Sequence, residues 1–145
     1  MLTLQENKAQ TQIESQEISF PLKLKFPNGL LGFEEIKEYT LQPLPDLEPF
    51  FWMEGTGNSE QSFLMVSPAH VVDTYSVEIT AEDEEFLGLT SPEDAFILNI
   101  VTFGPNQYMT VNLKGPIVVN RHSFTAKQLI PRNAAVLPIS FPLNN

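Results

Sequence analysis

The sequence predicts a mainly β protein: a small antiparallel β-barrel-like single domain with one or two short helices. Three observations lead there. The apolar stretches are short and several alternate with polar residues, the period of a half-buried strand. In the second half of the chain, such stretches are separated by only two to four turn residues, the spacing of an antiparallel meander. The chain has 145 residues, 42% of them hydrophobic and only 18% charged, enough for one globular core.

Residues 1–17 are rich in Gln, Glu and Thr with weak periodicity, and read as a loose N-terminal tail or a marginal edge element. Ile18, Phe20, Leu22, Leu24 and Phe26 then alternate along one face of a strand, and Pro27-Asn28-Gly29 closes it with turn chemistry. Glu34 to Glu38 has the composition of one helical turn. Short strands follow at Tyr39–Pro43, Phe50–Met53 and Phe63–Val66, and Pro68 breaks the last of them. Another strand ends at Ile79. Thr80 then caps a helix whose first turn is crowded by Glu82, Asp83, Glu84 and Glu85, and Gly88 stops it. Ser91-Pro92 repeats a helix-start signature, but the β-rich run Ala95–Phe103 overrides it and predicts a central strand. Strands at Tyr108–Leu113, Ile117–Val119 and Phe124–Ile130 complete the barrel. The organisation is thus a tail over 1–17, a β-barrel domain over 18–130, and a proline-interrupted apolar C-terminal tail over 131–145. The last is expected to pack over the barrel, since a free apolar tail favours aggregation.

Composition excludes several functions. Without cysteine there is no disulfide framework, thiolate metal site or cysteine nucleophile. No apolar run approaches the roughly 18 residues of a membrane span, and no leader pattern opens the chain. The expectation is a soluble, cytoplasmic protein, monomeric when free, with no membrane partner and no cofactor. A formal charge of −10 argues against nucleic acid as the direct partner, because a polyanion needs a basic surface. The charge is also unevenly spread. Residues 1–94 hold all 18 acidic side chains and four basic ones, a net −14, whereas residues 95–145 hold four basic side chains and no acid, a net +4. In a closed sheet the two signs neutralise each other in part. A strongly acidic face for a basic protein partner is compatible with that.

The search for catalytic chemistry is mostly negative. There is no nucleophile elbow, zinc-protease pair, phosphate loop or dinucleotide fingerprint. His70 and His122 both sit in predicted connections and read as surface residues. The run Glu82–Glu85 lacks the spaced ligands and glycine of a calcium loop and reads as a solvated first helical turn. Two alternatives stay open: a barrel holding a small molecule or carbohydrate beside Trp52 and the many Phe residues, and a hydrolase using a carboxylate pair.

Four segments together resemble the flagellar assembly factor FliW family. They are Phe26-Pro-Asn-Gly-Leu-Leu-Gly-Phe33-Glu34 followed by Tyr39-x-Leu41; Pro49–Met53 before Phe63–Val66; the strand Ile97–Thr102; and Thr110–Asn120 with Ala126–Ile130. Gly115 stands where the family usually has Ala, and Leu31 where Pro is frequent. Within these segments Phe26, Gly29, Gly32, Phe33, Asn112, Leu113 and Pro116 carry the resemblance, and they read as core and turn residues more than as a binding surface. The resemblance implies a non-enzymatic regulator. Such proteins bind the translational repressor CsrA and also flagellin, which compete, so that flagellin level is coupled to flagellin translation. The acidic residues Glu82, Asp83, Glu84 and Glu85 are then the candidate partner-binding set. The Pro131–Leu143 tail is a candidate aid to flagellin capture, through apolar contacts.

Overall fold

The computed structural model describes residues 2–7, 18–57 and 60–143. Its strands are β1 (Thr3–Asn7), β2 (Leu22–Lys25), β3 (Glu38–Pro43), β4 (Phe51–Gly55), β5 (Ser62–Val66) and β6 (Thr74–Glu78). After helix α1 (Ala81–Leu87) come β7 (Ala95–Phe103), β8 (Met109–Val111), β9 (Ile117–Asn120), β10 (Ala126–Gln128) and β11 (Phe141–Pro142). The main sheet runs β10-β9-β7-β5-β4-β3-β2, every neighbour antiparallel. It curls until its two ends nearly meet. A single parallel bridge, Lys25 to Thr125, joins them, with the Lys25 amide donating to the Phe124 carbonyl at 2.9 Å.

Burial follows the expected alternation. Leu22, Leu24 and Phe26 on β2 and its extension are buried, while Lys23 and Lys25 face out. These inward residues join Tyr39, Leu41, Met53, Met65, Phe96, Leu98, Ile117 and Val119 in one apolar cluster that fills the barrel. Phe26 meets Tyr39 edge-on, with ring centroids 5.2 Å apart. The barrel interior is therefore a side-chain core.

A second cluster coats the outside of the same sheet. Ala95, Ile97 and Val101 of β7 face it, together with Leu64, Val66, Val111, Leu113, Val118 and Leu129. The two-stranded ribbon β1–β6 and α1 cover this face through Leu4, Tyr75, Val77, Ile79 and Leu87. That explains the composition of β7. It is buried on both sides, so its sequence is a continuous apolar run instead of an alternating one.

The structure departs from expectation at three places. Residues 3–7, expected to be loose or marginal, pair in full with β6, and Leu4 is buried; residues 8–17 lie outside the described residues. Glu34–Lys37 forms turns that close the connection from β2 to β3, with no helix. The late strands do not form a simple meander. β7 is long enough to pair with β9 along Ala95–Leu98 and with β8 along Val101–Phe103, so β8 and β9 lie end to end against one strand. The C-terminal segment packs over the barrel, as expected. The Leu113 amide donates to the Pro138 carbonyl at 3.0 Å, β11 pairs with β8, and Leu137, Phe141 and Leu143 pack on the outer cluster. Just before it, Asn133 caps the free edge of β6: it accepts from the Glu78 amide at 3.0 Å and donates to the Ser76 carbonyl at 2.9 Å. A side-chain amide thus substitutes for a strand that would otherwise be exposed to another chain.

Candidate protein-binding site

α1 forms where the capping signals placed it. The Thr80 hydroxyl accepts from the Asp83 amide at 3.1 Å, and the chain leaves the helix at Gly88, whose amide returns to the Glu84 and Glu85 carbonyls. The four acids divide into two pairs. Asp83 points inward, its side chain 9% exposed, and receives Lys127 Nζ at 2.5 Å. Lys127 also lies over the Phe86 ring at 5.1 Å. Glu84 accepts from the Leu2 amide and so ties the N-terminal strand to the helix. Glu82 and Glu85 remain exposed. Of the sequence-predicted acidic set, Asp83 and Glu84 hold the helix in place, and Glu82 and Glu85 face solvent.

The residues that carry the family resemblance gather elsewhere, around the barrel seam. Phe26 is fully buried and anchors the β2 end of the loop, its amide donating to the Lys37 carbonyl at 2.8 Å. Gly29 turns the chain with φ +65°, and its backbone passes so close to Glu34 that an added Cβ would lie 2.5 Å from Glu34 Cα. Gly32 has φ +88° but open space around it, and its amide donates to the Glu34 carboxylate at 3.0 Å. That bond, with the Glu34 amide, holds the Glu34 carboxyl below its usual range. Phe33 stacks edge-on against Phe63 at 5.3 Å. On the other side of the seam, Asn112 Oδ1 accepts from the Lys114 and Gly115 amides at 3.0 and 2.8 Å, shaping the turn into buried Pro116, and Leu113 is buried in the outer cluster. Gln128 joins the two sides. Its Oε1 accepts from the Leu31 amide and its Nε2 donates to the Gly115 carbonyl, both at 3.2 Å. Motifs separated by some eighty positions in sequence thus meet at one side chain.

A family model described as FliW protein matches residues 4–143. The chain belongs to the FliW family. The flagellar assembly factor FliW of Leptospira biflexa is 39% identical over 124 residues, 84% of this chain and 78% of that protein. That of Moorella thermoacetica is 35% identical over 109 residues, 74% and 69% of the two chains. A crystal structure of a flagellar assembly factor FliW superposes with a TM-score of 0.77 at 27% identity, covering 90% of this chain and 91% of that one. The FliW match includes β1 and the C-terminal segment, both outside the 18–130 stretch that carried the sequence resemblance. The family is not known to be catalytic. Among the described residues, no three His, Cys, Asp or Glu side chains come together in a way that would hold a metal ion. Among the same residues, no helix is long and apolar enough to cross a membrane.

Other polar residues that stabilise this FliW fold escaped the sequence reading. Asn99 lies fully buried in β7, donating to the Asn112 carbonyl at 2.9 Å and lying 3.5 Å from the Tyr75 hydroxyl. Tyr75 in turn donates to the Leu113 carbonyl, and burial raises its phenol pKa far above the ordinary value. The signal was present: a lone Asn inside Ile-Leu-Asn-Ile must find partners when buried. Asn120 donates to the Leu87 carbonyl at 2.7 Å, fixing the end of α1 to the end of β9. Beside it, Asp94 accepts from the Thr90 amide and hydroxyl, from His122 at 3.1 Å and from the Ser91 amide, which together lower its pKa to about 2.

Proposed function

We propose that this protein is a partner-switching regulator: it sequesters the RNA-binding repressor CsrA and is displaced from it by flagellin. Family membership supports the reading, and one structural observation favours a surface for it. Glu82 and Glu85 stay exposed on a helix fixed at both ends, while the late-chain cation Lys127 is consumed internally by Asp83. The acidic excess of residues 1–94 is therefore neutralised only in part, and a field of that sign attracts a protein whose working surface is basic and repels RNA phosphates. Flagellin capture uses apolar contacts in this scheme. Val136 and Ile139 of the C-terminal segment are exposed and suit that role, whereas Ala134, Leu137 and Phe141 of the same segment are committed to packing.

The test is displacement of labelled RNA from CsrA, followed by fluorescence anisotropy at low and moderate salt. The double reversal Glu82→Lys and Glu85→Lys is expected to lose RNA release, most clearly at low salt. Unchanged release at both salt concentrations would remove the acidic helix from the account. Val136→Ser with Ile139→Ser is expected to weaken flagellin binding and leave CsrA binding intact.

A further inference from the structure

The geometry points to a second element of the same protein-binding function: the groove at the barrel seam, beside β10, is a docking site for an extended basic segment of a protein partner. The inference rests on the proposed binding of a basic protein. It goes further in assigning a place, a backbone conformation and a residue chemistry to the contact.

Among the described residues, β10 is the last strand of the sheet and pairs only with β9. The Asn120 amide donates to the Thr125 carbonyl at 2.9 Å and the Leu129 amide to the Pro116 carbonyl at 2.8 Å. Backbone groups of residues 125 and 129 therefore face β9, and antiparallel alternation turns those of Ala126 and Gln128 toward the seam. The bridge between Lys25 and Thr125 closes only the start of that seam. Past it the chain folds over through residues 28–31 and leaves a groove of about 180 Å³, lined by those residues with Glu34, Lys127 and Gln128. Leu31 in the groove wall is 63% exposed, and Ile130, just beyond Gln128, is 69% exposed. A strand edge next to exposed aliphatic side chains is what a β-augmenting peptide needs: main-chain bonds for affinity and apolar contact for selectivity.

Charge selects the occupant. Glu34 lines the groove and the neighbouring Glu35 is exposed. The groove's cation, Lys127, is held by Asp83, and the helix that supplies Asp83 presents Glu82 and Glu85. With Lys127 neutralised by Asp83, the exposed carboxylates of Glu34 and Glu35, offset only in part by Lys37, lie beside an apolar floor. That arrangement fits a segment in which an aliphatic residue is flanked by Lys or Arg, and it disfavours an acidic one. The residues of the family motif that shape the seam, Gly29, Gly32, Asn112 and Gln128, then serve to hold this groove open at a fixed width.

The experiment uses the full chain labelled with nitrogen-15 and two peptides, acetyl-Lys-Val-Arg-Val-Lys-amide and acetyl-Glu-Val-Glu-Val-Glu-amide. The basic peptide is expected to shift the amides of residue 31 and residues 126–130 saturably, to lose that effect in 0.5 M salt, and to be at least fivefold weaker with Leu31→Ser plus Ile130→Ser. The acidic peptide is expected to leave those amides in place. No shift at the seam, equal shifts from both peptides, or unchanged binding by the double variant would overturn the assignment. Titration against CsrA separates this from the broader function. If the wild-type chain binds CsrA and the folded double variant binds it equally well, the groove assignment fails and the function stands. If the wild-type chain does not bind CsrA, the function fails, and the peptide shifts still decide the groove.

Discussion

Gly29→Ala tests whether the seam loop is as tightly determined as its geometry implies. Gly29 has φ +65°, where an L-residue is disfavoured by about 1–2 kcal/mol. Its new methyl group would lie 2.5, 2.6 and 2.7 Å from Glu34 Cα, O and C, all backbone atoms that cannot rotate away. Relieving that clash requires moving the loop between Phe26 and Leu30, both buried in the barrel core, an overpacking cost of about 1–3 kcal/mol. The combined loss is about 2–5 kcal/mol, a drop in Tm of roughly 6–20 °C for a domain of this size. Gly32→Ala is the internal control. It shares the positive φ, but nothing lies within 4 Å of its added Cβ, so only the backbone cost of about 1–2 kcal/mol applies. Urea unfolding followed by circular dichroism, with Tm from the same signal, compares the two. Equal losses, or a smaller loss for Gly29→Ala, would refute the close-approach argument.

Other outcomes follow from the same structure. Lys127→Met leaves the Asp83 carboxylate nearly buried without its cation and is expected to cost about 2–3 kcal/mol in urea unfolding; Asp83→Asn in the same background should recover part of it. Asn133→Ala removes two bonds at the edge of β6, a loss of about 1–3 kcal/mol, and should speed hydrogen exchange at the Glu78 amide. The Asp94 carboxyl is lowered to about 2 from an ordinary 3.8, chiefly by the Thr90 amide and hydroxyl, so its stabilisation is complete above the ordinary value and disappears as pH falls from about 4 to 2. Asp94→Asn is therefore expected to be less stable than the wild type at pH 5 and to converge with it near pH 2, by urea unfolding at each pH.

The alternation of Ile18 to Phe26, the cap and stop of α1, and the turn residues at Pro68 and Gly115-Pro116 made most of the local structure legible. What remained hidden was long-range. Thr3–Asn7 has no apolar periodicity of its own and becomes a strand only because β6 lies beside it. Nothing local to β7 reveals that one strand serves two partners in succession, since a strand buried on both faces carries no face signal. The candidate site was half visible. The acidic run and its cap located α1, but helical geometry decides which acids turn inward, and Lys127, which takes Asp83, is 44 residues away. The seam groove was not visible at all. Gln128 is an unremarkable residue until Leu31 and Gly115 are brought to either end of its amide.

The most direct test of the account is isothermal titration of this protein with CsrA from its own organism, repeated after saturation with that organism's flagellin. The account predicts saturable CsrA binding that weakens as salt rises and is abolished by bound flagellin. CsrA binding that persists undiminished beside flagellin would contradict the partner switch, and binding to neither protein would contradict the proposed function as a whole.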